Sequence, residues 1–149
     1  MNEVKSDLLV ASMHGLRQAL AADYRANGLS DSWWADAVHI ALGQVAAAIQ
    51  EEVQAVEQSM ANVGDINPDF QNAPAAERHV QVTREQFIRL GEKVHQLRAY
   101  IRQAGENHLL DPTQLRLRGQ EIADAIEKVR KADEKFLLDT LNSNPGAGE

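Results

Sequence analysis

The sequence predicts an all-α protein, an up-down-up-down antiparallel four-helix bundle with long helices. Apolar residues recur at spacings of three and four in four separate segments, as they do on the buried side of a helix. At 1.5 Å per residue these segments form helices about 33 to 48 Å long. The connections between them are short and rich in turn formers, which favours antiparallel neighbours. A chain of 149 residues suits one domain, which we expect over residues 1–141.

The first two helices are predicted over residues 6–27 and 31–62. Ser6 suits the N-cap of the first helix, and Gly28 is placed to end it in the left-handed conformation. The apolar positions of the first helix are Leu9, Met13, Leu16, Leu20 and Tyr24. Those of the second helix are Leu42, Val45, Ile49, Val53, Val56, Met60 and Val63.

The last two helices are predicted over residues 75–105 and 112–141. Gly105 is placed to end the third helix, and Asp111 caps the fourth, with Pro112 at its first position. The third helix has apolar positions at Val80, Phe87, Leu90, Val94, Leu97, Ile101 and Ala104, with Thr83 in the gap. The fourth has them at Leu115, Ile122, Ile126, Val129 and Phe136. Residues 142–149 have nothing to bury and are expected to be disordered.

The net charge of −7 is concentrated in one segment. Residues 29–76 hold seven acidic residues and no Lys or Arg, whereas the two kinds of charge balance on either side. Binding to nucleic acid or to an anionic membrane requires clustered Lys and Arg, so we expect neither partner. The chain has no Cys and no strongly apolar leader, and the simplest expectation is a cytoplasmic protein.

The second helix is apolar over more of its circumference than one neighbour can cover. Between residues 33 and 49 only three residues are strongly polar. A helix of this kind is buried by two helices of its own bundle or meets another subunit. We therefore expect a homodimer, with Trp33, Trp34 and Ile40 as its interface, because aromatic residues are enriched at such surfaces.

Two short patterns bear on catalysis or metal binding. "EKVH", from Glu92 to His95, matches the Glu-x-x-His pair of di-iron bundles, but it occurs once and points away from the core. Arg102 and His108, in "RQAGENH", have a spacing that resembles the Arg-x4-6-His motif of the HEPN ribonuclease family. Neither pattern is complete, and we expect no metal and no cofactor.

The segment "HGLRQAL" carries one further resemblance. His14, Leu16, Arg17 and Leu20 match the H-box of histidine-kinase dimerisation helices, and more loosely the receiving helix of phosphotransfer domains. The resemblance implies a phosphoaccepting His14 assisted by Arg17. Gly15 stands where the H-box has an acidic residue, and a glycine inside a helix indicates that another backbone comes close.

The third helix also presents a mixed basic and apolar strip beside its core positions. It consists of Arg84, Ile88, His95, Arg98 and Arg102. This strip could bind an acidic partner helix. Alternatively, Arg98 and Arg102 pair with Glu51, Glu52 or Glu57 of the preceding helix, in contacts that add little stability.

Taken together, these patterns favour a non-enzymatic helical module that binds a protein partner and associates with itself. The alternative is a histidine phosphotransfer or degenerate kinase-dimerisation bundle that uses His14.

Overall fold

The structure is a computed structural model that describes residues 7–66 and 73–143, with side chains described at 7–59 and 75–139. All regular secondary structure in these ranges is helical, which confirms the prediction of an all-α chain with four helices. The helices are α1 (Leu8–Ala21), α2 (Asp31–Ile66), α3 (Ala73–Glu106) and α4 (Pro112–Ser143). The tail predicted to be disordered lies outside the described residues from residue 144 onward.

Helix α1 begins at a carboxylate cap. Asp7 accepts hydrogen bonds from the backbone N–H groups of Leu9 at 3.1 Å and Val10 at 3.2 Å. These bonds satisfy two of the N–H groups that have no partner inside the helix. Ser6, the predicted cap, lies outside the described residues.

Helix α1 ends at Ala21, and the prediction that it continues to residue 27 is wrong. The backbone turns extended at Ala22. Arg116 of α4 donates to the carbonyl oxygens of Leu20 at 2.8 Å and Ala22 at 3.4 Å. A side chain from another helix therefore satisfies carbonyl groups that would otherwise require a further turn of α1.

The turn after α1 is held by an aromatic contact. Tyr24 is buried and stacks on Trp34, with ring centroids 4.9 Å apart, and its hydroxyl donates to Asp31. Gly28 adopts the left-handed conformation with φ 76°, as predicted, but within this turn and not at the end of a helix.

The other helix ends lie close to their predicted positions. Helix α2 continues to Ile66 instead of residue 62. The residue with positive φ after α3 is His108, at 56°, and not Gly105. Asp111 caps α4 as predicted, since its carboxylate accepts from the N–H of Thr113 at 3.0 Å.

The apolar positions predicted for α1 and α3 form the core almost without exception. All five predicted positions of the first helix are buried, including Tyr24 in the turn, and so are Thr83 and every predicted apolar position of α3 from Phe87 to Ala104. Helix α2 buries a wider surface than predicted. Its additional core residues are Trp34, Ala35, Val38, Ala41 and Ala48.

The helices contact one another in a ring, α1 with α2, α2 with α3, α3 with α4 and α4 with α1. This pattern is typical of a helical bundle. The tightest approach to a glycine lies at Gly119 of α4, where a Cβ atom would be 2.7 Å from the side chain of Leu20. A Cβ at Gly15 would meet nothing within 4 Å, so no described part of this chain supplies the close contact expected there.

Candidate functional site

The three residues predicted as a dimer interface do not share one surface. Trp33 is 51% exposed and Ile40 is 63% exposed, whereas Trp34 is fully buried. The indole N–H of Trp34 donates to the carbonyl oxygen of Ala19 at 2.8 Å. Trp34 is therefore a core residue that joins α1 to α2, and its assignment to the interface is wrong.

Trp33 and Ile40 belong to a largely apolar surface on α2, and the exposed Asp36 lies at its edge. Trp33 and Ile40 are separated by seven residues, which places them on the same side of the helix. Ala37 occupies that side four residues after Trp33 and three before Ile40, and Gln44 occupies it four residues after Ile40. We call this surface, made of Trp33, Ala37, Ile40 and Gln44, the α2 apolar face.

His14 and Arg17 have different surroundings. His14 is exposed on α1 and has no hydrogen bond among the described residues. Arg17 donates to Asp124 at 2.8 Å and to Glu127 at 2.7 Å, both on α4. Burial opposes the positive charge, but these two carboxylates raise the pKa of Arg17 above its ordinary value. Arg17 thus joins two helices and is not free to contact a group on His14.

The basic strip on α3 is divided between paired and unpaired residues. Arg84 donates to Glu57 of α2 at 2.8 and 3.0 Å. Ile88 is 37% exposed, and His95 and Arg102 are exposed as well. Glu52 pairs with Arg130 of α4 at 3.0 Å. No ion pair joins Arg98 or Arg102 to Glu51, Glu52 or Glu57 among the described residues, so the predicted pairing is wrong.

Arg98 lies against the backbone of α2 at Gly43. A Cβ atom at this glycine would be 3.2 Å from Nη2 and 3.4 Å from Cζ of Arg98, so the missing side chain makes room for the guanidinium. The Nε atom of Arg98 is buried without a hydrogen-bond partner among the described residues, and so is Nε2 of His39. We call His39, Arg98 and Arg102 the Arg98 cluster.

A second group of charged side chains joins all four helices. Arg130 of α4 donates to Asp7 at 2.6 and 2.9 Å and pairs with Glu52 of α2 at 3.0 Å. Asp133, one turn further along α4, is 2.8 Å from Nε2 of His79 on α3. We call these five residues the Arg130 cluster.

In the Arg130 cluster, burial opposes the charged forms of the side chains and the neighbouring opposite charges favour them. Burial opposes ionisation of Asp7, but hydrogen bonds from Arg130 and from the α1 backbone outweigh it and lower the pKa of Asp7. Burial likewise opposes the charge of Arg130, while Asp7 and Glu52 raise its pKa. Both groups are therefore held in their charged forms. Sequence reasoning missed this cluster, because its members are far apart along the chain and have ordinary surface residue types.

The two catalytic patterns are not assembled into a site. Glu92 and His95 are both exposed on α3, and no group of three or more His, Asp or Glu residues suited to a metal ion occurs in the described part of the chain. Arg102 is on α3, whereas His108 follows the end of that helix. Neither pattern brings a nucleophile and a base together.

No protein-family model, no curated protein and no solved structure matches this chain. Within residues 7–66 and 73–143, none of the helices is long and apolar enough to cross a membrane.

Proposed function

We propose that this chain is a non-enzymatic helical interaction module, an adaptor, scaffold or regulatory partner in the cytoplasm, that associates with itself through the α2 apolar face. The exposure of Trp33 and Ile40 carries this proposal. Both are large apolar side chains and they lie one above the other, with the carboxylate of Asp36 beside them at the edge of the face. Exposed apolar surface of this kind is typical of protein interaction sites.

The proposal includes an up-down-up-down antiparallel topology, supported by the order of contacts between α2 and α3. Glu57 meets Arg84, Ile49 meets Gly91, and Gly43 meets Arg98, so residue numbers fall on α2 as they rise on α3. The same opposite order holds between α3 and α4, from His79 with Asp133 to Tyr100 with Arg118. It holds between α1 and α4, from Asp7 with Arg130 to Leu20 with Gly119.

A long bundle leaves the outer side of each helix available to a partner. On α2 this outer side is the α2 apolar face, while the opposite side of the helix carries the core residues from Trp34 to Ile49. Two copies can meet over the apolar side chains of this face while Asp36, at its edge, stays in water. In a twofold dimer each substitution acts twice, so removing one apolar side chain has a large effect on association.

Analytical ultracentrifugation over a wide concentration range tests the proposal. We expect the native chain to dimerise, and Trp33→Glu or Ile40→Glu to weaken association at least tenfold, the equivalent of about 1.4 kcal/mol. The matched control is Leu117→Glu, which introduces the same charge at a leucine that is 56% exposed on α4. Circular dichroism verifies that each variant keeps its helices. A native chain that stays monomeric, or a control that dissociates the dimer equally, contradicts the proposal.

The second candidate function is phosphate transfer at His14, favoured by the exposure of its imidazole. A phosphoaccepting histidine must reach a donor protein, and His14 meets this requirement. The pairing of Arg17 with α4 is against it, because no neighbouring cation is left to stabilise the phosphoryl group. Acid-labile label from acetyl phosphate or a donor kinase that disappears in His14→Ala would establish this function, and unlabelled native protein would exclude it for the donors used.

A further inference from the structure

The Arg98 cluster contains two buried polar atoms without a partner. Nε of Arg98 and Nε2 of His39 make no hydrogen bond to any described residue. A buried donor or acceptor without a partner is destabilising, and buried polar groups are nearly always paired. Two such atoms on neighbouring helices leave this polar cluster unsatisfied by the described part of the chain.

The positive charges of Arg98 and Arg102 also have no ion-pair partner among the described residues. Within the described residues, neither Arg98 nor Arg102 has a carboxylate within salt-bridge distance. Of the α2 glutamates considered as partners, Glu57 pairs with Arg84 and Glu52 with Arg130. The cluster is therefore a local concentration of positive charge on a chain whose net charge is −7.

The ionisation of His39 reflects these surroundings. Burial lowers its pKa from the ordinary value of 6.5, and the positive charges of Arg98 and Arg102 lower it further. Asp36, on its own helix, acts in the opposite direction and does not compensate. An anion placed among these groups would stabilise protonated His39 and both guanidinium groups together.

We propose that His39, Arg98 and Arg102 form a binding site for an oxyanion, either a carboxylate or a phosphate. The guanidinium of Arg98 lies beside Gly43, where the absence of a Cβ atom leaves room for it between α2 and α3. Arginine presents paired N–H donors that match the oxygens of both anions, and Arg102 adds an exposed charge at the entrance. Protonated His39 adds a third positive charge beside the two guanidinium groups.

The proposal predicts that binding strengthens as the pH falls. The free protein favours neutral His39, which carries no positive charge to attract an anion. A bound oxyanion raises the pKa of His39, and by linkage protonation of His39 tightens anion binding. Affinity should therefore rise as the pH falls toward and below 6.5, for as long as the anion itself stays charged.

Titration followed by NMR tests the site. Sodium phosphate and sodium acetate are added separately at constant ionic strength, with sodium chloride as the third arm, while the Arg98 Nε–H and the His39 ring signals are observed. We expect saturable shifts with at least one oxyanion and none with chloride. Stronger binding of phosphate would identify a phosphate site, and stronger binding of acetate a site for an acidic side chain.

Variants then locate the binding. Arg98→Gln and Arg102→Gln should each weaken it at least tenfold, whereas Arg89→Gln, an exposed arginine elsewhere on α3, should not. Gly43→Ala keeps every charged group but displaces the guanidinium, and should weaken binding too. His39→Gln should remove most of the pH dependence.

Three results would overturn the proposal: shifts that do not saturate, shifts that chloride reproduces, or equal losses in Arg98→Gln and Arg89→Gln. Because the cluster lies on the side of α2 that faces α3, its occupancy is measured independently of self-association through the α2 apolar face. Failure of one proposal therefore leaves the other intact.

Discussion

Arg130 and Arg98 are both partly covered arginines between long helices, yet their surroundings are opposite. The guanidinium of Arg130, with its side chain 17% exposed, contacts carboxylates of Asp7, Glu52 and Asp133. Arg98 contacts the backbone of α2 at Gly43 and has no carboxylate within reach among the described residues.

The difference separates a structural cation from a cation available to a ligand. Removing a buried charge from water is costly, and the surrounding carboxylates offset that cost at Arg130. Nothing in the described part of the chain offsets it at Arg98. Of the two, Arg130 therefore stabilises the fold, whereas Arg98 is suited to binding.

The largest expected effect is on the stability of Arg130→Met. This substitution keeps much of the side-chain volume but leaves Asp7 and Glu52 without their shared partner. Breaking a fully buried pair costs about 3 to 5 kcal/mol, and the partial exposure of these groups reduces this to about 2 to 3 kcal/mol. Urea denaturation monitored by circular dichroism measures the change in the free energy of unfolding.

Arg98→Met is the matched comparison for that substitution. It removes an uncompensated cation and a buried Nε–H without a partner, and it leaves no carboxylate unpaired, so the free energy of unfolding should stay unchanged or rise by up to about 1 to 3 kcal/mol. Equal destabilisation by the two substitutions would show that Arg98 has a structural partner after all. A negligible effect of Arg130→Met would show that its carboxylates are satisfied by water.

The contrast between these clusters also explains what the sequence could and could not predict. Periodicity identified the four helices and most of the core, because burial of a continuous stripe is repeated over many turns. It failed at the end of α1, where Arg116 satisfies the last carbonyl groups from another helix. Periodicity also failed to place Trp34 in the core. The indole N–H of Trp34 donates to the carbonyl oxygen of Ala19, and this contact depends on how two helices pack.

The candidate sites were less predictable than the fold for the same reason. Arg98 and Arg102 were singled out from their position on α3, but the prediction gave them the carboxylates that Arg84 and Arg130 occupy. Gly43 and His39 lie near Arg98 only because of the register in which α2 packs against α3. Long-range register leaves no local pattern in the sequence, so this part of the site required the structure.

The smallest expected effect is a difference in the pH ranges over which the two clusters influence stability. For Asp7 the pKa in the folded chain is below its ordinary value of 3.8, since the hydrogen bonds from Arg130 and the backbone outweigh burial. Its contribution is present above pH 3.8 and is lost as the pH falls through the folded pKa. For His39 the folded pKa is below 6.5, so the unfolded chain takes up its proton first, and stability falls as the pH drops below 6.5.

Urea denaturation from neutral pH to about pH 3 in a chloride buffer separates the two contributions. His39→Gln should flatten the decline that begins near pH 6.5 and leave the acid limb unchanged, while Asp7→Asn should do the reverse. The series is then repeated with a saturating oxyanion. A ligand that raises the pKa of His39 should shift the His39-dependent loss of stability and leave the Asp7-dependent loss in place. If His39→Gln leaves the free energy of unfolding unchanged between neutral pH and the pH at which Asp7 is protonated, burial and the two arginines do not lower the pKa of His39. The contrast with the Arg130 cluster must then rest on geometry alone.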